Sequence, residues 1–410
     1  MFIIWHDNDF DFARWVYLNS ELKNFQEDVY LRPIPKNNSS NLLIEKLKKK
    51  HEFNLLPVIK YETPDIVVQY VSSNERVSRI LFVSEFMTHT PQHHHPLQRF
   101  ARIYGASSLG IPNSLVLPAQ KVKLERKNKD YKPVMYHTNP LIYDIFLRTS
   151  YVNNTSSLMF LWPERNGYLR TDKKHPTAPL LEGQIIDWID FLNSCINGNS
   201  YRKSQIEFML AHSNYPKVEL THQYLIEHFS DIYGLQTVEI IDTQEAINRF
   251  NLDHTILNNI FLNNKYSLIF SPQGLNPPSS TFRTDPYAGM LCAFDNLFCR
   301  NENGERSVNL ILVAKDVHAV SLNFMRYSSN TMIDRKTGAP IIRQRSFSHD
   351  SEICPFLHFN LVDIEFEDLK DHLHTCPFTS NKQDRIYGIV SDIIVFDDII
   401  YYNNERANYA

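Results

Sequence analysis

The stretch P-D-I-V-V-Q-Y-V (64–71), followed by R-I-L-F-V-S-E-F (79–86), decides the fold. The first segment enters behind a proline and continues in β-branched residues, so it reads as a strand; the second is of the same kind. Working outward, M-T-H-T-P-Q-H-H-H-P (87–96) carries two prolines and predicts no regular structure. L-Q-R-F-A-R-I-Y-G-A-S-S (97–108) predicts a helix. Leu97, Phe100 and Tyr104 share its buried face, and Gln98, Arg99 and Arg102 lie off it. S-L-V-L-P (114–118) and S-L-M-F-L-W-P (157–163) read as strands. E-G-Q-I-I-D-W-I-D-F-L-N (182–193) reads as a helix with Ile185, Trp188 and Leu192 on one side. Strands alternating with helices over about 55–195 predict an α/β unit.

The flanking regions are less regular. Residues 1–60 read as mixed and mostly helical, with S-S-N-L-L-I-E-K-L-K-K-K (39–50) a helix behind a serine cap. L-L-P-V-I-K-Y (55–61) has the apolar run of a short strand. K-V-K-L-E-R-K-N-K-D-Y-K (121–132) reads as a basic connection, and R-T-D-K-K-H-P-T-A-P-L (170–180) as a rigid loop. G-N-S-Y-R-K-S (198–204) is the best linker, separating a domain at 1–200 from one at 201–410. In the latter, helices are expected near 221–233 and 254–263. Strands are expected at 266–271, at 308–314 and within 387–402, with a turn near Asp397-Asp398. That half is α+β.

Composition narrows the function classes. A chain of 410 residues is too long for one ordinary core. Only 11 glycines are present, and neither G-x-G-x-x-G nor G-x-x-x-x-G-K-[ST] occurs, which removes the common phosphate-cradling loops. The net charge of −4 excludes an indiscriminate polyanion binder. No apolar run reaches about 18 residues, so no membrane span is expected. The start, M-F-I-I-W-H-D-N-D-F-D-F, carries acids and lacks a signal peptide's basic region. Five scattered cysteines fit a reducing cytoplasm.

The chemistry-bearing pattern is a carboxylate on each of the two opening strands. Asp65 begins the first and Glu85 ends the second, with 19 residues between them. Adjacent strands would bring the acids together at one end of a sheet. Two such groups suit a hard divalent cation, Mg²⁺ or Mn²⁺, which acidifies a bound water and stabilises charge on a scissile phosphate.

Pro64-Asp65 followed by Glu85-Phe86-Met87 resembles the PD-(D/E)XK nuclease superfamily, which includes many restriction endonucleases. The resemblance covers about 64–118 and extends through E-F-M-T-H-T-P, P-L-Q-R-F-A-R and G-I-P (85–112). It implies a restriction-endonuclease-like core at 1–200, a mixed sheet flanked by helices, and an accessory α+β domain at 201–410 that reads DNA. It further implies hydrolysis of phosphodiester bonds in double-stranded DNA and a homodimer. Asp65 and Glu85 would be the metal ligands. Met87 stands where the family has its lysine, and a thioether carries no charge. The resemblance therefore passes the lysine's role to the following helix, to Gln98 or Arg99, with Arg102 beside them. A non-catalytic nucleic-acid-binding protein with a degenerate nuclease fold is the alternative.

Charge distribution agrees with a DNA partner. From Arg76 to Lys132 there are ten Lys or Arg against three acids, and Lys121, Lys123, Arg126 and Lys127 are the expected phosphate contacts. A solvated basic loop would look the same in sequence. His89 and His93-His94-His95 read as surface loop, and Glu45 as a further acid available to the metal. Cys354, His358, His372, His374 and Cys376 match no usual zinc spacing. Asp285 or Asp295 followed by a strand ending in Lys315 echoes the acid–strand–lysine pattern, but Val313 cannot bind metal, so 308–315 reads as a core strand.

Overall fold

The computed structural model describes residues 1–35, 49–59, 62–89, 91, 95–127, 130–139, 141–198, 235–272, 285–301, 303–313, 331–339, 386–388, 390–396 and 399–403. Described residues up to Gly198 belong to one compact unit and those from Leu235 onward to another. Both carry a mixed sheet flanked by helices: the α/β architecture is as expected for the first unit, and the second, expected as α+β, has the same part-parallel, part-antiparallel kind of sheet.

The first unit opens with a strand, β1 (Phe2–His6), then helix α1 (Phe10–Asn19), a 3-10 helix (Glu21–Asp28) and β2 (Val29–Pro33). The described residues of 1–60 are mixed and mostly helical, as expected, but the chain opens on a strand. The run Phe2-Ile3-Ile4-Trp5-His6 is buried along its whole length, and a short continuous apolar run does not distinguish helix from strand. Asp9 caps α1 by accepting from the Phe12 amide at 2.9 Å. Short helices α2 (Lys50–Phe53) and α3 (Leu56–Ile59) follow, so the strand expected at 55–61 is a helical turn with Pro57 in its first turn. The helix expected at 39–50 lies almost wholly outside the described residues, as does Glu45.

Next come β3 (Ile66–Val71), β4 (Ser78–Phe86), helix α4 (His95–Ser107) and β5 (Asn113–Pro118), all close to expectation. The basic connection is a hairpin of β6 (Gln120–Lys127) and β7 (Asp130–His137), paired along its full length. Helix α5 (Leu141–Val152), β8 (Ser157–Trp162), a small hairpin of β9 (Glu164–Arg165) and β10 (Tyr168–Leu169), and helix α6 (Gln184–Ile196) complete the unit. The sheet order is β2-β1-β3-β4-β5-β8; β3 is antiparallel to β1 and β4, and β4, β5 and β8 are parallel.

Helices cover both faces, which is why β3 to β5 are almost continuously buried. One face meets α1 and α6, whose Trp15 and Trp188 rings stack 6.2 Å apart. The other meets α4 and α5, where Phe100 and Phe146 pack edge to face at 5.6 Å. Ser84 and Phe86 point to the first of these faces: the Trp188 indole N–H donates to the hydroxyls of Ser84 (3.2 Å) and Ser114 (2.9 Å), and Phe86 packs on Trp188 at 5.1 Å. Strand alternation therefore sends Glu85 to the face covered by α4.

The second unit has β11 (Leu235–Asp242), helices α7 (Thr243–Phe250) and α8 (Asn259–Asn263), β12 (Tyr266–Pro272), helix α9 (Asp285–Phe298), β13 (Val308–Val313), β14 (Thr331–Asp334), β15 (Ile393–Val395) and β16 (Ile399–Tyr402). Their order is β11-β12-β13-β15-β16-β14. The strands expected at 266–271 and 308–314 are present. The run 387–402 holds two strands, and its expected turn falls outside the described residues, as does the helix expected at 221–233. Asp295 is fully buried and takes the guanidinium of Arg300 at 2.8 Å and that of Arg306. Arg306 also approaches Asp392 at 3.7 Å, and Asp392 accepts from the Leu310 amide at 2.6 Å. Asp295 thus ties helix to sheet; the Asp285 side chain and Lys315 lie outside the described residues. Among the described residues, no helix is long and apolar enough to cross a membrane.

Candidate active site

The register pairs Ile66 with Ser84, so one residue further Asp65 stands across from Glu85. Each acid is fastened to the other strand. The Asp65 amide donates to Glu85 Oε2 at 3.2 Å, and the Phe86 amide donates to Asp65 Oδ2 at 2.7 Å. The strand ends supply these amides because pairing of β3 with β4 stops there.

Helix α4 delivers the opposite charge. Arg99 and Arg102 are one turn apart, on one side of the helix. Arg99 Nη1 lies 3.1 Å from Glu85 Oε1. Arg102 Nη1 lies 3.1 Å from Glu85 Oε1 and 3.8 Å from Asp65 Oδ1, so one guanidinium nitrogen sits against both acids. Glu85 is fully buried, whereas Asp65 keeps 25% of its side chain exposed. Burial pushes the Glu85 carboxyl up to about 8; Asp65 pushes it the same way, and Arg102 and Arg99 oppose this. Asp65 is also raised by burial, against the pull of Arg102, the Phe86 amide and Arg99. The carboxylate pair holds Arg102 firmly protonated despite its own burial. Buried acids with such shifts beside paired cations mark functional-site candidates.

Several expected residues are thus brought together: Asp65, Glu85 and Arg99. Arg102, expected on DNA phosphate, is instead seated on the acids. Gln98 is half-buried on the same helix. Met87 is fully buried and its amide donates to Val116 O at 2.7 Å, so its side chain is core. His89 is exposed; the side chains of His93, His94 and His95 lie outside the described residues, as do the Cys354–Cys376 cluster and the Lys127 side chain. Lys123 and Arg126 are exposed on β6. Lys121, at the root of the hairpin, donates to the Thr88 carbonyl, and burial lowers its pKa.

Sequence reading missed Asp7 and Glu62. The Asp7 amide donates to Asp65 O at 3.1 Å, and its carboxylate acts electrostatically on Asp65 and Arg102. Glu62 also acts on Arg102. Asp7 reaches the site only through β1–β3 pairing across some 60 positions, a relation no local pattern carries.

The donor set fits a hard divalent cation in one respect. Two carboxylates converge on one point, now facing a guanidinium nitrogen, and Mg²⁺ is commonly held by one or two carboxylates plus water and substrate phosphate. Among the described residues no group of three or more acidic, histidine or cysteine side chains is placed to hold a metal. In comparisons with known proteins, no family model, no curated protein and no solved structure matches this chain.

Proposed function

We propose that this protein is a Mg²⁺- or Mn²⁺-dependent DNA endonuclease, resembling type II restriction enzymes and hydrolysing phosphodiester bonds of double-stranded DNA. The observation that carries the reading is the convergence of Asp65, Glu85, Arg99 and Arg102 at one end of the two central strands. Asp65 and Glu85 would hold the cation, which when bound supplies Lewis-acid stabilisation of the phosphate and an acidified water. Each acid keeps the other in place through its hydrogen bond to the opposite strand. Arg99 and Arg102 meet the negative charge of the scissile phosphate, a task suited to a planar guanidinium. They thereby replace the charge that Met87 cannot carry. The same reading expects a homodimer in the cytoplasm.

The test is plasmid cleavage with Mg²⁺ and, separately, Mn²⁺. Asp65→Asn and Glu85→Gln, which keep an oxygen acceptor for the opposite-strand amides, should each abolish cutting while leaving folding and DNA binding mostly intact. Full activity in either variant overturns the site. Arg99→Ala should lose cutting as well, whereas Met87→Lys, which puts an unpaired charge in the core, should destabilise the fold and restore nothing.

A second reading has its own observation. Met87 is buried and Arg102 stands between the acids where a cation would sit, which suits a degenerate nuclease fold that binds DNA without cutting it. Binding without cleavage in either metal would establish that reading.

A further inference from the structure

The β6–β7 hairpin leaves the same end of the sheet that carries the acids. β4 and β5 are parallel, Phe86 pairs with Val116, and β6 begins two residues after β5 ends. Its root is fixed at several points. Lys121 donates to the Thr88 carbonyl, the Thr138 hydroxyl to Pro118 O at 2.7 Å, and the Val122 amide to Gly167 O at 2.9 Å. Beyond the root both surfaces are open: Leu124 is 62% exposed and Tyr131 67% exposed, and Lys123, Arg126 and Lys132 are exposed too.

We infer that the β6–β7 ribbon is an arm, fixed at its root, that enters the major groove of duplex DNA. Six Lys or Arg in this segment face two acids, and one of those, Glu125, is engaged by the Tyr136 hydroxyl. Cross-strand register places Leu124, Arg126, Tyr131 and Pro133 on one side and Lys121, Lys123 and Lys132 on the other. A two-stranded ribbon fits a groove about 12 Å wide, and eight residues at about 3.4 Å each reach across it. The apolar and arginine-bearing side then meets base edges, where thymine methyls and guanine acceptors lie. The lysines meet phosphate. A protein partner without an acidic surface would be served by Leu124 and Tyr131 but gains nothing from this excess of cations.

The inference rests on the DNA reading above but not on cleavage, so the experiment omits divalent cations. Anisotropy of a short labelled duplex, and of its single strand, is followed with EDTA across a salt series. Lys123→Ala/Lys132→Ala should flatten the slope of log K against log salt by about two units, close to one per phosphate contact. Leu124→Ala/Tyr131→Ala should weaken duplex binding by about tenfold with the slope unchanged. Lys123→Glu provides a second charge variant, and melting temperatures confirm that each is folded. Wild-type-like binding by both double variants overturns the arm, as does tighter binding of the single strand, which would mean stacking rather than groove entry. Duplex binding through the arm by a protein that cuts nothing supports the inference and sinks the nuclease reading. Normal cutting with indifferent arm variants does the reverse.

Discussion

Replacing Glu85 with Gln isolates the contest between burial and paired charge at the centre of the site. The amide keeps the shape and carries no proton to gain or lose. In the wild type, burial lifts the carboxyl from its ordinary 4.5 to about 8 even with Arg102 and Arg99 against it. The folded chain therefore binds a proton that the unfolded chain has released across this whole interval. The sign follows: the stability associated with protonated Glu85 is present below about 4.5 and is lost as pH rises to about 8. Each unit of separation is worth about 1.4 kcal/mol, so between about pH 5 and about pH 8 wild type should lose about 3 kcal/mol relative to Glu85→Gln, with little further change above. The assay is urea unfolding of both proteins, with EDTA present, at several pH values in that range. Parallel stability curves would refute the reasoning. They would mean that the two guanidiniums outweigh burial and hold Glu85 ionised throughout.

Three further outcomes are expected. Gly167 has φ +77°, and a Cβ there would lie 2.7 Å from both Met135 Sδ and Val122 Cγ2 and 2.9 Å from the Val122 amide; Gly167→Ala should cost about 1–3 kcal/mol, and an unmoved melting temperature would contradict this. Trp188→Phe leaves the buried Ser84 and Ser114 hydroxyls without the indole donor, so a loss of about 1–3 kcal/mol is expected in denaturant unfolding, against about 3–5 for Trp188→Ala, which loses the ring's packing as well; equal costs would contradict the packing contribution and assign the whole effect to the lost donor. His51 is buried with its pKa lowered, chiefly by burial, although Glu75 Oε2 lies 3.6 Å away. A depressed histidine favours the fold only while neutral, so melting temperature should fall as pH drops below 6.5, and His51→Phe should blunt that fall; an identical acid limb in the variant would acquit His51.

The strands that carry the acids were legible because Ile66-Val67-Val68 and Ile80-Leu81-Phe82-Val83 are strand formers whatever surrounds them. The placement of Arg99 off the apolar face of its helix was also legible, since helical spacing fixes it. Its sister Arg102 was assigned to DNA because spacing gives a direction and not the partner waiting there. The β6–β7 ribbon was misread because Lys-Val-Lys-Leu-Glu-Arg alternates charge with apolar residues, a two-sided exposed strand that looks like a solvated link. Asn166-Gly167, by contrast, was a usable signal. Both residues have positive φ and form the two-residue turn between β9 and β10, the type favoured in hairpins. Asp7 was beyond reach, because its position depends on which distant strand β1 selects.

The exchange of hydrogen bonds between Asp65 and Glu85 has an evolutionary consequence. Each acid satisfies a main-chain amide on the opposite strand, so replacing either one strands a donor that the fold has placed at a partly or wholly dry edge. Neither position is therefore free to drift alone. Among descendants of this sequence, residues 65 and 85 should both stay acceptors, and a lineage that has abandoned its chemistry should keep both acids long after Arg99 has wandered.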